Sequence, residues 1–443
     1  MKKSKTLIIG AGLAGLSASF FLKRDYRIFE KEATPGGLCR SRHFNGYTFD
    51  YDGHLLHFRD KDILNLVQKL MGGNLICTRR NSWINSFGCY TRYPFQANLF
   101  GLPKNVIKEC VLGFIDAQLN GNVNKYNQTN FKQWTLRTFG PGIARHFMLP
   151  YNNKFWTIPA HRLTCEWVDG YIPIPSIKDV LGGTIAQSKK RFGYNAQFWY
   201  PRKGGIENLI FALRRRIKNN IHTLHQVAEI DLKTRTVTFC NGRKARFINL
   251  ISTLPLPEML KLIPHLPPKI KAALSKLKYT SVFCLNLGVA RGNISDKHWV
   301  YFPEKKIIFF RVGFPHNFSS ALVPPGKSSL YAEVSYSPDR PVNKKDLVKR
   351  ILKDLRKVEI LSAADTIEVC EPVDIEYAYI IYDRNYTEST KTIREYLNQH
   401  HIYPIGRYGR WKYMTMEDTI LDGKKIAEVL QGDKIAQGCL REK

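Results

Sequence analysis

Thr6-Leu7-Ile8-Ile9 is an apolar run that ends on Gly10-Ala11-Gly12-Leu13-Ala14-Gly15 and continues into the small residues Leu16-Ser17-Ala18-Ser19. That order predicts a buried strand, a tight turn and a helix. A second short apolar run, Ile28-Phe29, closes on Glu30 and predicts the next strand. Val106, Cys110, Val111, Phe114 and Ile115 recur at helical spacing, and helices are expected over residues 102–120 and 130–150. Residues 176–195, with Gly182-Gly183 and the patch Lys189-Lys190-Arg191, read as a mobile segment between helices. Alternation over residues 227–249, with Asn241-Gly242 at its centre, predicts strands joined by a hairpin turn. Apolar strands are expected to dominate residues 282–337, among them Ile307-Ile308-Phe309-Phe310 and Leu330-Tyr331-Ala332-Glu333-Val334, and a last helix over 418–430. No internal repeat or low-complexity tract interrupts this order.

With 443 residues, the chain is too long for one compact core, so two or three domains are expected. No stretch approaches the roughly 20 apolar residues of a membrane span. Met1-Lys2-Lys3 ahead of Leu7-Ile8-Ile9 imitates a signal peptide, but the apolar run is needed as the strand before the glycines, so a cytoplasmic protein is expected. The 9 cysteines are scattered without a Cys-x-x-Cys pair, which points to reduced thiols and away from a zinc site, and no metal ligands are assigned. Lysine and arginine exceed aspartate and glutamate by 31, spread in short patches over the whole length. Solvated basic faces account for this, and a sugar nucleotide or an anionic surface could exploit the field. No nucleic-acid-binding signature is present, so nucleic acid is not expected as a partner.

The Gly-x-Gly-x-x-Gly turn has a physical role at each glycine. Gly10 permits the turn, Gly12 lets backbone approach a pyrophosphate at the helix N-terminus, and Gly15 lets the helix lie close on the sheet. Glu30 stands where a ribose hydroxyl is gripped, with Ala14 and Lys31 beside these positions. Gly36-Gly37-Leu38-Cys39-Arg40 follows at once. Nothing obliges that run in nicotinamide enzymes, whereas in one large class of flavoproteins it lies along the FAD diphosphate and isoalloxazine; FAD is therefore the expected cofactor. In Asp52-Gly53-His54, Gly53 is expected to allow a sharp bend that turns His54 toward the flavin.

From here the chain resembles the UDP-galactopyranose mutases, particularly the eukaryotic type, over nearly its whole length, within the broader amine oxidase and protoporphyrinogen oxidase-like superfamily. Tyr93-Pro94-Phe95-Gln96-Ala97-Asn98 is similar to the family segment that stacks and hydrogen-bonds the uracil base. Asn152 and Trp156, in Pro150-Tyr151-Asn152-Asn153-Lys154-Phe155-Trp156, match the nucleoside pocket, and Asn195 lies in a stretch that matches one near the sugar. Tyr301, Arg311, Tyr379 and Tyr413 match the residues that present phenols and a guanidinium to the substrate pyrophosphate, and Arg407 matches a position beside the flavin. Val227 is assigned to the cofactor by the same resemblance. Met416-Glu417-Asp418 would lie near the FAD ribityl or diphosphate groups, or serve simply as a helix cap and first-turn charge. One position departs: many family members carry an arginine on a mobile loop where this chain has Tyr171.

The fold class expected is α/β: a Rossmann-like FAD-binding domain with an inserted helical domain and an antiparallel β-sheet substrate domain. Residues 1–100, 200–275 and 385–443 would form the discontinuous FAD domain, 101–199 the helical domain, and 276–384 the sheet domain. The resemblance implies an isomerase that interconverts pyranose and furanose forms of a nucleotide sugar, of the UDP-galactose type. In that chemistry, N5 of reduced flavin attacks the anomeric carbon, UDP leaves, the ring reopens and recloses through another hydroxyl, and UDP returns, with no net redox change. NADPH or NADH is a candidate transient reductant, since no second Gly-x-Gly-x-x-Gly marks a separate nicotinamide domain. The rivals are an FAD-dependent oxidoreductase of the amine oxidase type and a flavin-binding scaffold without catalysis.

Overall fold

The computed structural model describes residues 6–432 apart from 24, 121–129, 189, 191, 194, 219 and 220. Residues 1–3, Lys189 and Arg191, singled out above, lie outside the described residues, as does one of the nine cysteines, Cys439.

Thr6–Ile9 is buried at every position and pairs in parallel with Tyr26–Phe29 on one side and Asn249–Ser252 on the other. Ile221–His222 and Ile402–Pro404 complete a five-stranded parallel sheet. A strand covered on both faces needs apolar side chains throughout, which is why the opening run does not alternate. The first helix, Leu13–Phe21, packs against the last, Met416–Gln431. Gly423 permits this, since a Cβ there would stand 2.7 Å from Ala18 N and Ser17 Cβ.

Lys104–Asn120 and Phe131–Ile143 form the core of the helical insertion. The helix expected over 130–150 is broken: Gly140 takes φ +75°, Pro141 follows, and a π-helical turn, Ala144–Met148, leads into Leu149–Trp156. Close packing sets the break, because a Cβ on Gly140 would stand 2.0 Å from Gly113 O and one on Gly142 2.3 Å from Glu109 O. The segment expected to be mobile contains a helix, Ile177–Ile185, started by a capping box in which Ser176 and Asp179 bond each other's backbone. Its Gly183 is a contact glycine, since a Cβ there would stand 2.0 Å from Ala97 O.

The third layer is a seven-stranded sheet in the order Ile367–Ile380, Tyr279–Val289, Ser328–Tyr336, Arg311–Gly313, Trp299–Tyr301, Ser82–Ser86 and Cys89–Arg92. All its pairings are antiparallel except Trp299–Tyr301 with Ser82–Ser86. Two of its strands therefore come from residues the sequence reading left with the nucleotide domain. Leu347, Ile351 and Leu355 of the helix Lys344–Lys357 cover one face, against Phe283, Leu285 and Val334. The other face carries Cys284, Glu333 and Arg311, neighbours across three strands. The hairpin at Asn241-Gly242 forms as expected, between Thr236–Phe239 and Lys244–Arg246. Residues 307–310 are not a strand. Ile307, Phe309 and Phe310 are apolar because the loop is buried, with Phe310 N–H bonded to Glu333 O and Ile308 N–H to an Asp354 carboxylate oxygen. Among the described residues no helix is long and apolar enough to cross a membrane.

Candidate active site

The glycine turn and the second motif are joined edge to edge. Gly36 N–H donates to Ala11 O at 2.9 Å, and Gly12 and Gly36 form a parallel bridge. Gly10 takes φ +93°, and a Cβ on Gly15 would stand 2.0 Å from Gly10 O, so these two glycines are demanded by the protein itself. Gly12 differs. A Cβ there would meet nothing nearer than Gly37 Cα at 3.7 Å, so the space above it is left for something else. The first helix starts at Gly12 without a side-chain cap, leaving amides free to hold an anion. Glu30, buried at the end of its strand, accepts Ala11 N–H at 2.7 Å on one oxygen and Glu32 N–H at 3.0 Å on the other. Each oxygen keeps lone-pair capacity for a ribose hydroxyl. The cradle fits the diphosphate and ribose of FAD. Arg40 folds back onto Gly37 O and lies over the Tyr51 ring, while Lys31 is exposed beside Glu32. Leu38 and Val227 pack in the core around the cradle.

Other cofactor positions are engaged inside the protein. Asp418 closes the capping box with Thr415 and pairs with Arg59 at 2.7 Å. The Met416 sulfur lies 3.9 Å from Cys39 Sγ. His54 Nδ1 is 3.0 Å from Asp52 O. Gly53 does not adopt a left-handed bend. It is a glycine because a Cβ would stand 2.3 Å from the Tyr331 hydroxyl, and a Cβ on Gly313, the cross-strand neighbour of Tyr331, would stand 2.1 Å from Cζ of the same ring.

A single cavity gathers Tyr93, Gln96, Asn152, Trp156, Tyr171, Asn195, Tyr301, Arg311, Tyr379 and Tyr413. These come from the turn after Cys89–Arg92, the helix Leu149–Trp156, the loops on either side of Ile177–Ile185, the sheet and the loop before the last helix. The rings meet directly: Tyr93 on Tyr301 at 5.2 Å, Tyr171 edge-on to Tyr413 at 5.0 Å, and Tyr379 stacked on Tyr413 at 6.4 Å. Arg407 does not line the cavity. It lies behind it, its guanidinium 5.0 Å from the Tyr379 centroid and 4.6 Å from that of Tyr413, with Nη2 donating to Ala378 O. Burial pushes the Tyr93, Tyr171 and Tyr379 hydroxyls above the usual phenol range, so they remain donors at neutral pH.

In residues that line the cavity, two buried polar atoms, Gln96 Oε1 and Trp156 Nε1, have no hydrogen-bond partner among the described residues. Gln96 Nε2 is spent on Pro173 O at 2.7 Å, which fixes the amide so that its oxygen is the one left over. Unpaired acceptors and donors of this kind are costly unless a ligand satisfies them.

Phe95 and Asn98 are not on the wall. Phe95 is fully buried and stacks on Phe147 at 5.0 Å, so Phe147 stands between it and the cavity. Asn98 bonds Pro94 O and receives Ser188 N–H. Phe95 begins a run of near-parallel rings, Phe95, Phe147, Tyr151 and Phe155, of which the last three line the cavity and were missed. Their four-residue spacing, one helical face, was the available signal. Trp167 and Arg80 were also missed. Arg80 lies over the Tyr93 ring and donates to the Asn195 side-chain oxygen.

Residues 8–70 match the model of a NAD(P)-binding Rossmann-like domain, and residues 178–429 that of flavin containing amine oxidoreductase. The chain is similar to a crystal structure of reduced UDP-galactopyranose mutase, with TM-score 0.90 and 28% identity over 97% of this chain and 96% of that one. A protoporphyrinogen oxidase candidate from Exiguobacterium sp. 255-15 superposes with TM-score 0.74 at 14% identity, over 97% of this chain and 99% of that one. Putrescine oxidase bound to putrescine gives 0.66 at 16%, with the same coverage, and these two likenesses concern the fold alone. With more than half of its length matched by that second model, the chain belongs to the flavin-containing amine oxidoreductase family.

Proposed function

We propose that the protein is a flavin-dependent nucleotide-sugar mutase, interconverting pyranose and furanose ring forms of a UDP-galactose-type substrate without net redox change. The observation that carries this reading is the cavity itself: phenols, one guanidinium and an unpaired amide oxygen converge there from distant parts of the chain. Several phenol donors beside an arginine suit the oxygens of a diphosphate. The 28% identity to a UDP-galactopyranose mutase over nearly the whole of both chains supports the same reading.

In this scheme Gly12, Gly36, Gly37, Glu30 and Arg40 hold FAD, and Gly53, His54 and Arg407 flank it. When bound and reduced, the flavin supplies an electron-rich nitrogen nucleophile for the anomeric carbon. The residues of the chain do the rest. Gln96 Oε1 accepts from the uracil imide, and the aromatic wall of Phe147 and Tyr151 offers the base a stacking face. Tyr301, Tyr379, Tyr413 and Arg311 hold the diphosphate as leaving group and keep it in place for return. Tyr171 adds a neutral donor in place of a fixed charge. NADPH or NADH is the proposed reductant.

Anaerobic incubation of reduced enzyme with UDP-galactofuranose, read by HPLC, tests the reading. The expected result is UDP-galactopyranose with the flavin still reduced and no reductant consumed. Turnover only from oxidised enzyme, with one peroxide or reduced acceptor per product, would replace it with the oxidoreductase reading.

A further inference from the structure

Arg311 does not face the cavity as an isolated cation. Its strand pairs in register with Ser328–Tyr336 so that Glu333 lies directly opposite. The guanidinium takes both oxygens of that carboxylate, through Nε to one and Nη2 to the other at 2.8 Å. Glu333 has no solvent exposure. A second acid reaches the same place. Asp52 Oδ1 is 3.6 Å from Arg311 Nη2, the nitrogen that also donates to Glu333 Oε1. Asp52 is itself tied down by Gly53 N–H, which donates to Oδ1 at 2.5 Å.

Two carboxyl groups that converge on one guanidinium nitrogen share a single positive charge, which cannot fully balance both of them. Cys284, Tyr331, Tyr379, Tyr151 and Tyr408 also face the pair or Arg311, and burial raises all of them, so none supplies or takes a charge near neutrality. Burial likewise pushes the Glu333 carboxyl well above the usual range, against the opposing pull of Arg311.

An entering diphosphate must draw on the same guanidinium, because the fork that faces Glu333 is also the cavity's cation. As Arg311 turns its charge toward phosphate oxygens, a buried carboxylate loses its counter-ion. The least costly response is for the Glu333 carboxylate, which has no solvent exposure to stabilise its charge, to accept a proton. We propose that Asp52 and Glu333 are positioning residues gathered on Arg311, and that binding of a nucleoside diphosphate sugar at Arg311 is coupled to uptake of a proton at this carboxyl cluster. This rests on the reading of the cavity as a nucleotide-sugar site.

The test is calorimetric titration of the oxidised holoenzyme with UDP-galactose near pH 7, in PIPES and in Tris at equal ionic strength. The diester diphosphate of this probe has no group titrating near neutrality, and oxidised flavin excludes turnover. The dependence of enthalpy on buffer ionisation enthalpy counts protons. Uptake of about 0.3–1 proton per site is expected, with affinity falling as pH rises, by at most about tenfold per pH unit. In Glu333→Gln and Asp52→Asn, each checked for flavin absorbance and melting temperature, uptake should fall toward zero. Should one variant fail to fold, the other and the wild-type count still decide. Saturable binding without proton exchange in the wild type overturns the coupling and leaves the site reading standing, whereas no binding at all overturns the site reading itself. Undiminished uptake in a folded variant overturns the assignment to this pair.

Discussion

The cofactor cradle and the tyrosine cavity are built on opposite plans. The cradle is made chiefly of backbone, joined by the Glu30 carboxylate, within the stretch from Thr6 to Arg40, and its glycines matter for what they lack. The cavity is made of side chains drawn from Tyr93 to Tyr413, held by the sheet and by helices far apart in sequence. A backbone site can be inferred from local order alone, because spacing dictates its geometry. A side-chain site is dictated by tertiary packing, and its members are individually unremarkable aromatics.

The largest effect that would separate the two plans is at Arg311. Arg311→Ala should cost about 3–5 kcal/mol of stability, because it strands the buried Glu333, and also abolish measurable turnover. Arg311→Ala combined with Glu333→Gln should recover most of the melting temperature but none of the turnover. If the single variant melts like wild type, the pair is not the structural unit described here. At the cradle, Gly15→Ala should cost about 1–3 kcal/mol through the clash with Gly10 O and release FAD. Gly12→Ala should leave the apoprotein melting temperature unchanged and weaken only FAD retention, measured by flavin released on dilution. Equal destabilisation by both would erase the distinction between packing and ligand glycines. The smallest effect is expected at Gln96→Leu, about 1–2 kcal/mol in UDP affinity from loss of the unpaired acceptor, with a loss of stability of about 1 kcal/mol because Pro173 O also loses its donor. Unchanged affinity would move the base-recognition site elsewhere.

How far the chain could be read follows the same division. The opening strand, first helix, second strand and last helix were legible because period and glycine spacing agree there. Ile177–Ile185 was missed because Gly182-Gly183 looks like a breaker, whereas Gly183 serves close contact with Ala97. Residues 307–310 were taken for a strand because burial produces the same apolar run as a central strand. In the cavity, family resemblance supplied the tyrosines and Arg311, but nothing in the local sequence separates Phe95, one layer back, from Phe147 on the wall. Glu333 was read only as part of an apolar strand. Its partner, Arg311, is 22 residues away, and only the strand register brings them together.

Tyr331 reaches across from its strand to occupy the space where side chains at both Gly53 and Gly313 would begin. Neither glycine can acquire a methyl group while that ring stays, and a smaller residue at 331 would leave a void unless something grew back into it. The three positions therefore drift as one: in a mutational library, tolerated changes at 53 or 313 should be found only in clones that have also changed 331. The loop carrying Asp52 and the strand carrying Arg311 thus share an epistatic lock, which holds the acid and its cation in the same lineage even where the rest of the cavity diverges.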